Sequence, residues 1–94
     1  MSVNRTVHVV IRGRVQGVGF RWFVARKAHE CDVAGWVRNA CDGSVEVAAV
    51  GAAESVDGLL AALRQGPPRA VVQSVEVDER PSSTIDINAE FEII

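Results

Sequence analysis

The residues best suited to chemistry lie in a glycine-rich stretch, residues 13–21, which reads Gly-Arg-Val-Gln-Gly-Val-Gly-Phe-Arg. It follows a strand-like run and leads into a helix-like run. The first turn of a helix leaves backbone N–H groups unpaired and carries about half a positive charge. Glycines let these amides turn around an anion, and Arg14 and Arg21 add guanidinium groups suited to phosphate. The stretch predicts a phosphate site, although the glycines alone also fit a tight strand-to-helix turn.

The stretch matches neither of the familiar nucleotide-phosphate motifs. A P-loop ends in Gly-Lys-Ser or Gly-Lys-Thr, whereas Gly19 is followed by Phe20 and Arg21. A dinucleotide-binding fingerprint needs a third glycine where Trp22 stands. Trp22 could cover the mouth of the site or simply be exposed, and the sequence leaves both open.

Positive charge is concentrated around this stretch. The net charge is −2, but residues 1–41 hold seven Lys or Arg against two acids, and residues 42–94 hold three against ten. A local positive site on an acidic protein suits a small anion, whereas a long polyanion needs an extended basic stripe. We therefore expect no nucleic-acid partner.

Other classes of protein are disfavoured by what the chain contains. No apolar run approaches the ~20 residues of a membrane helix, and the start lacks the layout of a signal peptide. We therefore expect a cytoplasmic protein with no membrane partner. Cys31 and Cys41 lack the spacing of metal ligands, so we expect two ordinary thiols and no metal site.

The spacing of apolar residues predicts strands at residues 6–12, 36–40, 44–50 and 70–78 and helices at 21–32 and 54–64. Phe20, Phe23 and Val24 are assigned to the core. In the fourth strand, Val71, Val75 and Val77 are predicted on one side and Val72 on the other. After a loop at 79–84, the closing run predicts a fifth strand in which Ile85, Ile87, Phe91 and Ile93 share one parity.

This order predicts an α+β, ferredoxin-like βαββαβ fold in a single domain over residues 1–94. Two helices should cover one face of a mainly antiparallel sheet of four to five strands. The first two strands then point the same way, so Asn39 should lie beside Arg21. Cys31 and Cys41 should lie at opposite ends, about 16 Å of helix apart, too far for a disulfide.

Residues 13–21, taken with Gly-Trp-Val-Arg-Asn at residues 35–39, resemble the signature pair of the acylphosphatases. Segments beginning at Gly66, Val75 and Phe91 are similar to the C-terminal half of that family. The resemblance implies a metal-independent, cofactor-free hydrolase that splits acyl phosphates into a carboxylate and inorganic phosphate. The chain departs from many relatives at residues 51–54, away from the predicted site.

The resemblance implies a role for each site residue. Arg21 binds the phosphoryl group, and Asn39 orients the attacking water. Backbone N–H donors to the phosphoryl oxygens come from Arg14, Val15, Gln16, Gly17, Val18, Gly19 and Phe20. Asn39 is not a strong base, so we expect the phosphate of the substrate to take the proton. The expected partner is a small acyl phosphate, with phosphate or sulfate able to occupy the site of a monomer.

The chemistry of an acyl phosphate agrees with these residues. Its leaving group is good, so positioning and charge stabilisation suffice without a nucleophile. Two other functions remain open: a non-catalytic anion-binding module, and an RNA-recognition sheet, which needs aromatic residues on its first and third strands. The corresponding positions hold His8, Val10, Glu46 and Ala48. We interpret His8 as a surface or paired strand histidine.

Overall fold

The computed structural model describes residues 4–80 and 85–94. Over these residues the chain forms β1 (Asn4–Arg14), α1 (Phe20–Glu30), β2 (Ala34–Asn39), β3 (Val45–Ala52), α2 (Ala53–Gln65), β4 (Val71–Glu79) and β5 (Glu92–Ile93). Every predicted helix and strand is present; the ends of the first six are shifted by a few residues, and the fifth strand is reduced to Glu92–Ile93. Most of the predicted loop at 79–84 lies outside the described residues.

The described strands form one sheet in the order β4-β1-β3-β2-β5. β1 is antiparallel to β3 and β4, and β3 is antiparallel to β2. β1 and β2 therefore run in the same direction and end at the same edge, while β5 runs parallel to β2. The predicted βαββαβ order with a mainly antiparallel sheet is confirmed.

Alternating apolar residues bury one face of this sheet against the helices. The side chains of Val7, Val9 and Ile11 on β1 are at most 1% exposed, and their neighbours along the strand are more exposed. Each buried Val or Leu contributes about 1.5–3 kcal/mol of hydrophobic free energy. The helices and β3 supply the matching residues, which are Val45, Val47, Ala49, Phe20, Val24, Ala25, Ala28, Val56, Leu59, Leu60 and Leu63.

The helix α1 ends at Glu30, earlier than the predicted end at residue 32. The reason is local, because Asp32 adopts a left-handed conformation with φ 60°. The Val33 N–H then donates to the Ala28 carbonyl at 2.8 Å, which closes the last turn. Phe23, predicted in the core, is only half-buried and is not part of the core cluster.

The prediction of which β4 valines face the core is wrong at Val71 and Val72. Val72 packs against the core, whereas Val71 is 54% exposed. Arg12 pairs with Ser74 but Gly13 pairs with Val72, so Gln73 is an extra residue, a β-bulge. An extra residue moves each following side chain to the other face, which simple alternation cannot anticipate.

The fifth strand is shorter than its apolar parity predicted, because a turn precedes it. The Asp86 carboxylate accepts a bond from the Asn88 N–H at 2.9 Å, and the Asp86 carbonyl accepts one from the Ala89 N–H at 3.0 Å. Phe91 is buried as the parity implies, but Ile87 is 41% exposed. Strand pairing is therefore confined to Glu92–Ile93.

Candidate anion-binding site

The loop between β1 and α1 is anchored by its apolar side chains. Val15 and Phe20 are 1% and 2% exposed, and Val18 packs against the core. Gly17 and Gly19 lie between these anchors and are exposed. The loop is thus fixed by side chains packed in the core, while the backbone at both glycines is accessible to solvent.

The two exposed glycines are required by their backbone conformation. Gly17 and Gly19 have φ values of 73° and 79°, in the left-handed region that strains residues with a Cβ. A Cβ added at either position would meet no atom within 4 Å, so space is not the constraint. Amides on either side of such residues can point into one concavity, which favours an anion.

The start of α1 presents unpaired N–H groups to this loop. Gly19 is the N-cap, and no side chain in the described residues caps the helix there. The first helical hydrogen bond runs from the Phe23 N–H to the Gly19 carbonyl at 3.1 Å, so the N–H groups of residues 20–22 lack helical acceptors. Residues 20–23 include no acidic side chain that would neutralise the partial positive charge of the helix dipole at this end.

Both arginines of the motif lie at this end of the fold. Arg21 is half-buried in the first turn of α1, and its Nη1 donates to the Ile94 carbonyl at 3.2 Å. Arg14 ends β1 and is exposed. Within residues 4–80 and 85–94 neither guanidinium pairs with an acidic side chain, so both charges are available to an external anion.

The strand register places Asn39 at the same edge. Asn39 ends β2 and pairs with Val45, which pairs with Ile11 on β1. Both partners are fully buried under the helices, and residues opposite each other across strands share a face. Asn39 is therefore on the helix-covered side, at the edge where α1 begins. Its catalytic role stays a prediction.

Gln16 makes a contact that sequence reasoning missed. Its Nε2 donates to the Ala40 carbonyl at 2.8 Å and to the Ser44 carbonyl at 2.9 Å. The sequence had assigned Gln16 a backbone N–H only. No local pattern signals this contact, because the acceptors lie 24 and 28 residues away. It joins the loop to the turn that follows Asn39.

That turn, residues 40–44, is held by a second set of bonds. The Asp42 carboxylate accepts bonds from the Ser44 hydroxyl at 2.6 Å and the Ser44 N–H at 3.0 Å. Arg12 also donates to it at 3.0 Å. These donors, Ser44 first, hold the pKa of Asp42 at about 2, below its ordinary value of 3.8. The turn is therefore held by Gln16 from the loop and by the bonds of Asp42 to Ser44 and Arg12.

The uncovered face of the sheet carries a charged cluster. His8 Nε2 lies 3.1 Å from a Glu46 carboxylate oxygen, and the His8 ring meets Trp36 edge-on at 6.1 Å. Arg38 also donates to Glu46 and lies over the Trp36 ring at 5.4 Å. His8 is thus a paired strand histidine. Trp36 lies on β2, not on the strands that carry the aromatics of an RNA-recognition sheet.

Trp22 is exposed, as one of the two alternatives left open by the sequence requires. Its exposed fraction is 76%, and it borders an apolar groove with Ala25, Phe91 and Ile93.

Both cysteines in the described part of the chain are free thiols. Within that part, no group of three or more His, Cys, Asp or Glu side chains could hold a metal ion.

None of the described helices has the length and apolar character needed to cross a bilayer.

Known proteins resemble this chain over almost its whole length. The acylphosphatase family model matches residues 7–93. An acylphosphatase from Methylococcus capsulatus is 56% identical over 75 residues, covering 80% of this chain and 82% of that protein. The crystal structure of acylphosphatase from Bacillus subtilis matches with a TM-score of 0.88 at 35% identity, covering 96% and 98% of the two chains. The Coxiella burnetii acylphosphatase matches at 0.86 and 36%, covering 97% and 93%. These likenesses confirm the α+β, ferredoxin-like fold.

Proposed function

The chain belongs to the acylphosphatase family, and from this premise we propose that it hydrolyses acyl phosphates without a metal ion. The observation that carries the proposal is the loop with left-handed Gly17 and Gly19 at the uncapped start of α1. Arg21, free of acidic partners in the described residues, stands in the same helical turn. Loop, helix end and guanidinium together suit a phosphoryl group.

The phosphoryl group of the substrate sits over the start of α1. Backbone N–H groups of residues 14–20 donate to its oxygens, and Arg21 neutralises the charge that develops on them. Such fixed donors need no reorganisation during the reaction, and removing one costs about 10²–10³ in rate. Phosphoryl transfer depends on positioning and charge stabilisation, which this loop can supply.

Asn39 orients the water that attacks. Its neutral amide can accept a hydrogen bond from water and donate one to a phosphoryl oxygen. The water oxygen forms a bond to phosphorus as the bond from phosphorus to the acyl oxygen breaks. The carboxylate leaves, and a phosphate oxygen takes the proton of the water. An amide that only orients is sufficient because the carboxylate is already a good leaving group.

Hydrolysis of benzoyl phosphate, followed by release of inorganic phosphate, tests this proposal. We expect turnover that a chelator does not change. Arg21→Ala and Asn39→Ala should each lower kcat/KM by about 10²-fold or more, because each removes a group that acts in the transition state. Arg26→Ala, on the exposed side of α1, and Asn88→Ala, in the exposed turn before β5, are matched controls.

Two outcomes would count against hydrolysis by this site. Loss of activity with a chelator would contradict metal independence. Binding of inorganic phosphate with no turnover of benzoyl phosphate would support the alternative of a non-catalytic anion-binding module.

A further inference from the structure

We infer that the side chain of Gln16 is a positioning residue that holds the backbone next to Asn39 at a set distance from the phosphate-binding loop. The inference rests on the proposed function and adds a residue that acts through another. It starts from the two hydrogen bonds of the Gln16 amide group, which are the contacts that join the loop to the turn at residues 40–44.

Both N–H bonds of the Gln16 amide nitrogen are used. The acceptors are the carbonyls of Ala40 at 2.8 Å and Ser44 at 2.9 Å, and the side chain is half-buried. A primary amide has two donor hydrogens in one plane, so two carbonyls can be held at a fixed spacing. A side chain with one donor cannot hold both.

The two acceptors belong to the segment that directly follows Asn39. The Ala40 N–H also donates to the Ser44 carbonyl at 2.9 Å, so Gln16 binds a turn that is already closed on itself. The Asn39 side chain is exposed, which means that surrounding side chains do not pack it into one place. Its position relative to the loop therefore depends on its backbone, which pairs with Val45 on β3. Gln16 ties the next residue, Ala40, to the loop.

The expected consequence falls on the attack by water more than on phosphate binding. A displacement of about 1 Å in a reacting group can lower the rate about 10²-fold. The loop amides and Arg21 contact the phosphoryl group directly, and residues 40–44 contribute no group to its binding. Loss of the Gln16 bonds should thus lower kcat while KM and the Kd of inorganic phosphate stay nearly constant.

Gln16→Met keeps the length of the side chain and removes both donors. We expect kcat for benzoyl phosphate to fall by about 10–100-fold, with the Kd of inorganic phosphate changing less than about threefold. In an Asn39→Ala background, the same substitution should lower kcat by less than about twofold, because the residue through which Gln16 acts is already gone. Arg12→Gln, which breaks the exposed bonds of Arg12 to Asp42 and Glu76 but leaves the Gln16 bonds in place, should leave kcat within about twofold.

Gln16→Glu provides a second readout that a merely destabilised loop would not show. An ionised carboxylate repels the two carbonyls, whereas the protonated form can donate one bond. Its rate relative to the unsubstituted protein should therefore recover in part as the pH is lowered, because the protonated form restores one of the two bonds. Equal losses from Gln16→Met in both backgrounds, or parallel losses of kcat and phosphate affinity, would overturn the inference alone. Absence of turnover in the unsubstituted protein would overturn the proposed function with it.

Discussion

Arg21 donates a hydrogen bond of 3.2 Å from Nη1 to the carbonyl of Ile94, although 73 residues separate them. The Ile94 N–H in turn donates to the Val37 carbonyl at 2.9 Å. The start of α1 is thereby tied to β2 through Ile94. A guanidinium has five N–H donors, so this bond leaves donors for a phosphoryl group.

This geometry predicts that Arg21→Lys is not a conservative change. Lys keeps the charge, but its three donors lie on one nitrogen and lack the planar fork with which Arg can bind Ile94 and a phosphoryl group at once. We expect kcat/KM for benzoyl phosphate to fall by about 10–10²-fold, less than for Arg21→Ala. Arg26→Lys is the control for the same chemical change on the exposed side of α1. Wild-type activity in Arg21→Lys would argue that charge alone is needed.

Gly19→Ala should weaken phosphate binding as well as stability. Gly19 and Gly43 have φ values of 79° and 91°, and an added Cβ would meet no atom within 4 Å at either. Each substitution should therefore cost about 1–2 kcal/mol of unfolding free energy through the left-handed backbone alone. Only Gly19 lies in the loop, so only Gly19→Ala should raise the Kd of inorganic phosphate. Denaturant unfolding and phosphate titration measure the two effects. Equal Kd values in both variants would contradict phosphate binding by the backbone amides of the loop.

Val72→Ala should destabilise the protein more than Val71→Ala does. Val72 packs on the core, while Val71 is 54% exposed. Removing the partly buried methyl groups of Val72 should lower the unfolding free energy by about 1 kcal/mol, against less than about 0.5 kcal/mol for the exposed valine. Denaturant midpoints compare the two directly. The opposite order would mean that the β4 strand alternates without the bulge at Gln73.

The Asp42 contribution to stability should disappear in acid. Folding lowers the pKa of Asp42 from 3.8 to about 2, so the ionised form stabilises the folded state above the unfolded value. Linkage requires that this contribution is present at neutral pH and is lost as the pH falls through the window between these values. The difference in unfolding free energy between the unsubstituted protein and Asp42→Ala should therefore shrink across that window. Ser44→Ala, which removes the hydroxyl donor, should show a weaker pH dependence of the unfolding free energy across this window. A difference between the unsubstituted protein and Asp42→Ala that stays constant down to pH 2 would refute the lowered pKa of Asp42.

The amino-acid sequence alone specifies the order of elements, the face that each helix and most strands bury, and the glycine-rich character of the loop between β1 and α1. Periods of two and 3.6 residues reflect burial on one side, and burial is the main source of stability. The left-handed glycines and the uncapped helix start are also local properties, because they depend on residues adjacent in the chain. For this reason Gly17, Gly19 and Arg21 stand out from residue type and spacing alone.

The way in which distant segments meet is settled only in the folded chain. The amide of Gln16 finds carbonyls in another turn, and Arg21 binds Ile94, through contacts with no periodic signature. The bulge that turns Val72 inward depends on the register between β1 and β4, which neither strand specifies alone. Such contacts arise from the packing of the whole chain, since a side chain selects its partner from what the fold places within reach.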